Sequence, residues 1–194
     1  MGLFDFLKPK KTQPKTVTDP TAPLPTFKYL RDPRVVFEPN SHKIACECCQ
    51  NKPAWIYRNG IYAIKDAENF CPECIVSGEA SKKFDGTFNE ASYSPIDNPA
   101  AKEELEKRTP TLNTWQELSW AACCNDYCQF IKFMAPEDFD NPEIVQSLEE
   151  TYNEETQGPP FEELAPICEE SVDINLLLFQ CPACKKYYAE VDID

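Results

Sequence analysis

Cysteine is the residue type in this chain whose number and spacing point most directly to chemistry. The 194 residues include eleven cysteines, and three pairs of them are separated by two residues. This spacing lets a tight turn aim both sulfurs at one ion, and two such pairs brought together by the fold make a four-thiolate zinc site. The three regular pairs are Cys46/Cys49, Cys71/Cys74 and Cys181/Cys184.

The simplest grouping of the cysteines predicts one or two zinc ions per chain. The first predicted site consists of Cys46, Cys49, Cys71 and Cys74. The second predicted site consists of Cys124, Cys128, Cys181 and Cys184. The second pattern is weaker, because fifty-two residues separate its halves and one half has three residues between its cysteines.

Neighbouring thiols leave the choice of ligands open. Cys48 can replace Cys46 or Cys49 only with poorer spacing, and Cys123 can stand in for Cys124. Four sulfurs fill the zinc tetrahedron and leave no position for water, so either choice predicts a structural ion. A structural zinc supplies roughly 10–16 kcal/mol, whereas a domain's net stability is only about 5–15 kcal/mol. Loss of metal should therefore unfold the region around each site.

Other chemistries fit the cysteines and histidine less well. A thioredoxin-like role needs one Cys-x-x-Cys at a strand–helix junction, not three. The single histidine, His42, argues against Ser-His-Asp catalysis and is interpreted as a loop residue. It becomes a ligand candidate only if Cys46 is not one. Cys168 has no partner in the sequence and is interpreted as a small buried hydrophobic residue.

Charge is distributed unevenly along the chain. The formal net charge is −14, and residues 133–184 contain thirteen acids without a lysine or arginine. Such a surface repels nucleic acid and attracts a basic protein partner. Paired acids adjacent on a helix do not face the same way, which favours a docking surface over an acid/base pair. The predicted partner-binding residues are Glu149, Glu150, Glu154, Glu155, Glu162 and Glu163.

The domain organisation follows from composition. Residues 1–26 are predicted to be a flexible tail with a short amphipathic start, because five prolines follow it. Residues 27–194 are predicted to form one α+β domain with zinc-ribbon-like hairpins and an acidic insert around 135–172. No apolar run approaches the roughly 18 residues of a spanning helix, and the lysines follow the first apolar patch instead of preceding it. A cytoplasmic location is expected, since disulfides are rare there.

Four local patterns predict secondary structure. Asn59-Gly60 between apolar runs indicates a two-residue hairpin. Residues 109–134 form the strongest helix candidate, with Thr114 and Glu117 as a capping box. Residues 141–155 indicate an acidic helix with Pro142 in its first turn. The tail reads as a strand, a Cys-x-x-Cys turn and a return strand.

Several of these motifs together resemble the CbrC-like family of bacterial proteins, which is linked by name to colicin tolerance. The resemblance covers residues 24–134 and the final twenty or so. It is carried by "LPTFKYLRDP", "CECC", "NFCPECIVSGEASKKFDGTFN", "RTPTLNTWQELSWAACCNDYCQFI" and "FQCPACKKYYAEVDID". It implies a bacterial protein tied to toxin tolerance, and an acidic immunity protein that covers a basic nuclease site is an analogy for how it works.

The chain departs from that family at three positions. Where the family has a His-Cys pair this chain has Cys123-Cys124, which favours Cys124 as the ligand. Where a glycine follows the first and last Cys-x-x-Cys turns, this chain has Gln50 and Lys185. Without these glycines a tight turn is less strongly indicated at the two positions, but the cysteines themselves are all present.

Three functional hypotheses follow. The leading one is a zinc-binding, non-enzymatic cytosolic interaction protein, with toxin immunity as its specific form, whose acidic surface binds a basic partner. The alternative is a zinc-dependent hydrolase or thiol-redox enzyme that uses an incompletely ligated second cysteine site. A nucleic-acid-binding zinc ribbon is the third, and the negative charge argues against it.

Overall fold

Short helices and small antiparallel sheets make up the fold, as seen in a computed structural model that describes residues 21–153, 158–171 and 173–194. Within these ranges the α-helices are α1 (Pro72–Val76), α2 (Glu79–Phe84), α3 (Pro99–Arg108), α4 (Pro142–Thr151) and α5 (Leu164–Glu170). The strands of the same ranges are β1 (Glu38–Pro39), β2 (Trp55–Ile56), β3 (Ala122–Cys123), β4 (Asp126–Tyr127), β5 (Gln129–Phe133), β6 (Ile174–Gln180) and β7 (Tyr187–Ile193). A mixed helix and sheet class was predicted and is confirmed.

The largest sheet has three strands in the order β5-β6-β7. Strands β6 and β7 pair from Ile174 opposite Ile193 to Gln180 opposite Tyr187, so the chain reverses at residues 181–186. The predicted strand, Cys-x-x-Cys turn and return strand are thereby confirmed. β5 pairs with the other edge of β6, which makes β6 the central strand.

Two hydrophobic cores lie on opposite faces of this sheet. Leu177 and Phe179 of β6 belong to the first core, which also contains most buried aromatic residues and five buried cysteines. Leu176 and Leu178 belong to the second core, which lies under the acidic segment. Alternate side chains of a strand point to opposite faces, so one apolar strand supplies both cores. The sheet is thus the middle layer of the fold.

The predicted acidic helix is confirmed as α4. The Asn141 side chain caps its N-terminus by accepting from the backbone N–H of Glu143, and Pro142 occupies the first position. Ile144 and Leu148, one helical turn apart, are buried in the second core. The apolar face of this amphipathic helix therefore packs on the sheet, and its acidic face is exposed.

The expected helix over 109–134 is wrong. These described residues form an extended loop followed by strands, and the Thr114 hydroxyl donates to the Gln116 carbonyl instead of capping a helix. The backbone N–H groups of Trp115 and Gln116 donate to the buried Asp192 carboxylate of β7. In a helix, these N–H groups would lie in the first turn and bond to the N-cap residue. Here they bond to Asp192 of a distant strand, and this tertiary contact outweighs the local helix preference.

The expected two-residue hairpin at Asn59-Gly60 is also wrong. Asn59 does not adopt the positive φ that a type I′ turn requires, although Gly60 has φ +78°. Tyr57 instead exchanges backbone hydrogen bonds with Phe70, with N–O distances of 2.9 and 3.0 Å. The chain therefore reverses direction over a longer loop than predicted. Cys71 is the residue immediately after the paired Phe70.

Among the described residues, no helix has the length and apolar character that crossing a membrane requires.

The second core predicts how strongly α4 is attached. Leu148 is fully buried, so Leu148→Ala should lower the free energy of unfolding by about 2–5 kcal/mol. The adjacent, exposed Glu149→Ala should change it by no more than about 0.5 kcal/mol. Denaturant titration of both variants measures the difference, and equal effects would contradict the packing of α4 on the sheet.

Candidate metal centres

Four cysteines converge at the first cluster, which we define as Cys46, Cys49, Cys71 and Cys74. Their sulfurs all lie within 4.8 Å of one another. This is the first predicted site, and the fold brings together all four residues assigned to it.

A hydrogen-bonded turn presents Cys46 and Cys49. The N–H of Cys46 donates to the Asn51 carbonyl at 2.8 Å, and the N–H of Gln50 donates to the Cys46 carbonyl at 2.7 Å. Gln50 has φ +64°, in the left-handed region that glycine adopts most easily. The turn thus forms although its last residue is not glycine.

The first turn of α1 presents Cys71 and Cys74. Cys71 is the N-cap of this helix and its sulfur accepts from the N–H of Cys74 at 3.4 Å. Pro72 takes the first helical position, where its fixed φ suits the helix start. The Cys71 N–H also donates to the Cys46 sulfur at 3.2 Å, which links the two halves.

Two polar side chains missed by sequence reasoning hold the first turn in place. The Lys83 ammonium group donates to the carbonyls of Glu47 and Cys48. The Glu47 carboxylate accepts from the N–H groups of Glu68 and Asn69, both at 3.0 Å. Neither contact has a local signature, because both join residues more than twenty positions apart.

The second cluster consists of Cys123, Cys124, Cys181 and Cys184, whose sulfurs also lie within 4.8 Å of one another. The turn that carries Cys181 and Cys184 repeats the first turn bond for bond. The Cys181 N–H donates to the Lys186 carbonyl at 2.9 Å, and the Lys185 N–H donates to the Cys181 carbonyl at 3.0 Å. Lys185 takes φ +66°, in the position that Gln50 occupies in the first turn.

A tight hairpin between β3 and β4 supplies the other two sulfurs of the second cluster. Cys124 and Asn125 are its two loop residues, with φ +53° and +58°, as in a type I′ turn. The Asn125 side chain exchanges hydrogen bonds with the backbone of Asp97, which anchors the loop. The Cys123 sulfur then lies 3.5 Å from that of Cys124 and 3.6 Å from that of Cys184.

Cys128, which the sequence placed in the second site, lies outside this group of four, and Cys123 converges with the other three sulfurs instead. The Cys128 N–H pairs with the Ala121 carbonyl, and its own carbonyl accepts from the Trp120 indole. These contacts direct the fully buried Cys128 into the first core, beside Cys181 but outside the group of four. The missed signal was Asn125, because asparagine tolerates the left-handed conformation that this tight turn requires.

The sulfur separations fit a shared divalent ion better than a disulfide. Cys49 and Cys71 are 3.8 Å apart at their sulfurs, and the corresponding distances in the second cluster are 3.5 and 3.6 Å. Four sulfurs at about 2.3 Å from a zinc ion lie about 3.8 Å from one another in a tetrahedron. A disulfide needs about 2.05 Å. All eleven cysteines, each within the described ranges, are free thiols.

Hydrogen bonds already favour thiolates in both clusters. Donation from the thiols of Cys71 and Cys74 holds the pKa of Cys46 far below its ordinary value. Donation from the backbone N–H of Lys186 lowers the pKa of Cys184 to about 7. The pKa values of Cys71, Cys74, Cys123 and Cys124 are raised instead, because donation to a neighbouring thiolate or burial favours their protonated forms. Each cluster thus favours one thiolate, and binding of a cation would release the protons of its other thiols.

The predicted partner-binding glutamates have different environments. Glu149 and Glu150 are exposed on α4, and Glu162 and Glu163 are exposed in a single 3₁₀ turn. Glu154 and Glu155 lie outside the described residues.

Lysines that flank the acidic segment neutralise part of its charge. Lys186 forms an ion pair with Glu150 at 2.9 Å. Lys132 forms an ion pair with Asp138 at 2.7 Å, and the buried Asp138 also accepts from the N–H of Ala135. Asp138 is therefore a structural residue and not part of the acidic surface.

Comparison with known proteins places this arrangement in a family. A family model described as "Uncharacterised protein family (UPF0167)" matches residues 24–193. The chain belongs to UPF0167. The matched residues include both cysteine clusters and the acidic segment that separates the two halves of the second cluster.

Relatives in this family come from several bacteria. The chain is 29% identical over 174 residues to the UPF0167 protein Mb2317 of Mycobacterium bovis, covering 87% of this chain and 93% of the relative. It is 29% identical over 113 residues to the UPF0167 protein PA1536 of Pseudomonas aeruginosa, covering 56% and 63%. No solved structure matches the chain.

The geometry of the second cluster distinguishes Cys123 from Cys128. Cys123→Ser should lower the bound zinc by one ion per chain, because it removes one of four converging sulfurs. Cys128→Ser should keep the full zinc content while lowering stability, because it places a hydroxyl in the core. Zinc analysis of both purified variants tests this, and zinc loss only in Cys128→Ser would restore the sequence-based grouping.

Proposed function

We propose that the first and second clusters each hold one structural zinc ion. The observation that carries this proposal is the convergence of four sulfurs at two separate places. Thiolate ligands favour zinc over magnesium or calcium, and complete sulfur ligation leaves no open position for catalysis. In this proposal, the β6–β7 turn and the β3–β4 hairpin of the second cluster correspond to the two halves of a zinc ribbon.

We further propose that this protein is a non-enzymatic interaction protein of the cytosol. The abundance of free thiols supports a reducing compartment. The exposed acids of α4 and the following 3₁₀ turn support a basic protein partner. Nucleic acid is a poor ligand for such a surface. The resemblance to CbrC-like proteins suggests toxin immunity as the specific role, with a basic toxin domain as the partner.

One observation favours the enzymatic alternative. The second cluster is more exposed than the first, since Cys124 and Cys184 both lie at the surface. A ligand that leaves there would open a position for water, as a zinc hydrolase needs, or free a thiol for redox chemistry. Cobalt substitution distinguishes a structural second cluster from a catalytic one. A closed four-sulfur site gives a tetrahedral spectrum that an added substrate or anion does not change.

Metal analysis tests the zinc proposal directly. Protein purified without added metal should contain two zinc ions per chain, and Cys71→Ser and Cys181→Ser should each lose one of them. Removal of zinc by a strong chelator should unfold the region around each cluster, because an ion worth roughly 10–16 kcal/mol exceeds a typical domain's stability. Zinc-free protein that keeps its circular dichroism and cooperative melting would contradict a structural role.

Charge reversal tests the interaction proposal. A variant with Glu149→Lys, Glu162→Lys and Glu163→Lys should bind a basic colicin-type nuclease domain at least about tenfold more weakly, since attraction becomes repulsion. The control, with Asp66→Lys, Glu68→Lys and Glu103→Lys, makes the same change in net charge on exposed acids elsewhere. Calorimetry at two salt concentrations measures both. Equal weakening in the two variants, or no binding by the unmodified chain, would contradict a specific role of the acidic surface toward this partner class.

A further inference from the structure

A fifth thiol lies beside the first cluster. Cys48 is partly buried in the turn that carries Cys46 and Cys49, but it is not a member of the group of four. Its sulfur, the sulfur of Cys74 and a carboxylate oxygen of Glu79 all lie within 4.8 Å of one another. Cys74 therefore belongs to two groups of donors at once.

The junction between α1 and α2 brings Glu79 to this place. Gly78 separates the two helices with φ +77°, a left-handed conformation that side chains disfavour, and its N–H donates to the Ile75 carbonyl at 2.9 Å. The chain reverses there, so the first residue of α2 returns toward Cys74. On the other side, Lys83 of α2 holds the Cys48 carbonyl and thereby the turn that carries this thiol.

We propose that Cys48, Cys74 and Glu79 form a second metal position next to the first cluster, with the Cys74 thiolate bridging two ions. This inference rests on the proposed zinc ion in the first cluster. The ligand is a borderline or soft divalent cation such as Zn²⁺ or Cd²⁺, because two of the three donors are sulfur. Magnesium and calcium, which take oxygen ligands, are disfavoured.

Charge supports a second cation here. Four thiolates around one divalent ion leave a net charge of −2, and the Glu79 carboxylate adds to it at close range. Like charges at such distances disfavour one another's ionised forms. Lys83 lies close to Cys48 and offsets one unit of this charge. A second divalent ion offsets two more units and binds the Cys48 thiolate directly. Loss of the Cys48 proton to solvent balances the binding step.

The second position is open where the first is closed. Three protein donors leave one vertex of a tetrahedron for water or an external ligand. Cys74 and Glu79 both line a cavity of about 330 Å³, whose lining also includes Leu24 and Trp55. An ion held there is therefore accessible and exchanges faster than an ion enclosed by four sulfurs. The position is suited to loading or releasing metal at the first cluster.

Cadmium binding to the full-length chain tests this proposal. Native mass spectrometry during Cd²⁺ titration should show one more ion in the unmodified chain than in Cys48→Ser, and that ion should be the first removed by a weak chelator. In ¹¹³Cd NMR, the resonances of the two neighbouring ions should show scalar coupling to each other through the bridging sulfur. Glu79→Gln should weaken binding of the additional ion by about tenfold or more and leave the tight ions in place.

Matched controls separate ligand loss from general effects. Glu73→Gln changes another acid that lines the same cavity, and Cys168→Ser changes a thiol of the second core, so both should keep the additional ion. If Cys48→Ser fails to fold, the surface variant Glu79→Gln still decides the question.

The outcomes distinguish this proposal from the one on which it rests. Equal cadmium stoichiometry in the unmodified chain and Cys48→Ser, or an additional ion without coupling to a neighbour, would overturn the second position alone. Absence of a tightly bound ion that depends on Cys71 would overturn the zinc proposal as well.

Discussion

The convergence of sulfurs from distant segments is the constraint on which the rest of the fold depends. In the first cluster it joins a turn at residue 46 to a helix start at residue 71, and in the second it joins residue 123 to residue 184. Between these points the secondary structure is short, and two of the three sheets have only two residues per strand. Pairs of two-residue strands are not stable by themselves. The cysteine clusters and the aromatic core therefore stabilise the structure of residues 21–130.

Backbone strain in the turns after Cys46 and Cys181 is consistent with a stabilising role of the cysteine clusters. Gln50 and Lys185 take left-handed conformations, which cost an L-residue roughly 1–2 kcal/mol each. A structural metal ion contributes several times more than that. The zinc ion proposed for each cluster would therefore offset this cost and allow the turns to keep their shape without glycine.

Sequence reasoning succeeded where local pattern and tertiary structure agree. The regular Cys-x-x-Cys pairs, the apolar run of β6 and the Asn141-Pro142 start of α4 each have short-range signatures, and the structure places them as predicted. It failed at Thr114 and Asn59, where partners far along the chain, Asp192 in one case and the Tyr57–Phe70 pairing in the other, override the local preference. It also chose Cys128 over Cys123. The spacing of cysteines in the sequence does not show which thiol lies in the core and which lies beside Cys181 and Cys184.

The attachment of α4 links the acidic surface to the second cysteine cluster. The Ser147 hydroxyl accepts from the Tyr187 N–H at 2.7 Å, and the Thr151 hydroxyl donates to the Tyr187 carbonyl at 2.8 Å. Tyr187 is the first residue after the turn that carries Cys181 and Cys184. The helix that displays the acidic surface is therefore bonded to the residue that follows the turn of Cys181 and Cys184. With zinc in the second cluster, as proposed, loss of the ion or oxidation of its thiols would disturb Tyr187 and, through these hydrogen bonds, the position of α4 and its acidic surface.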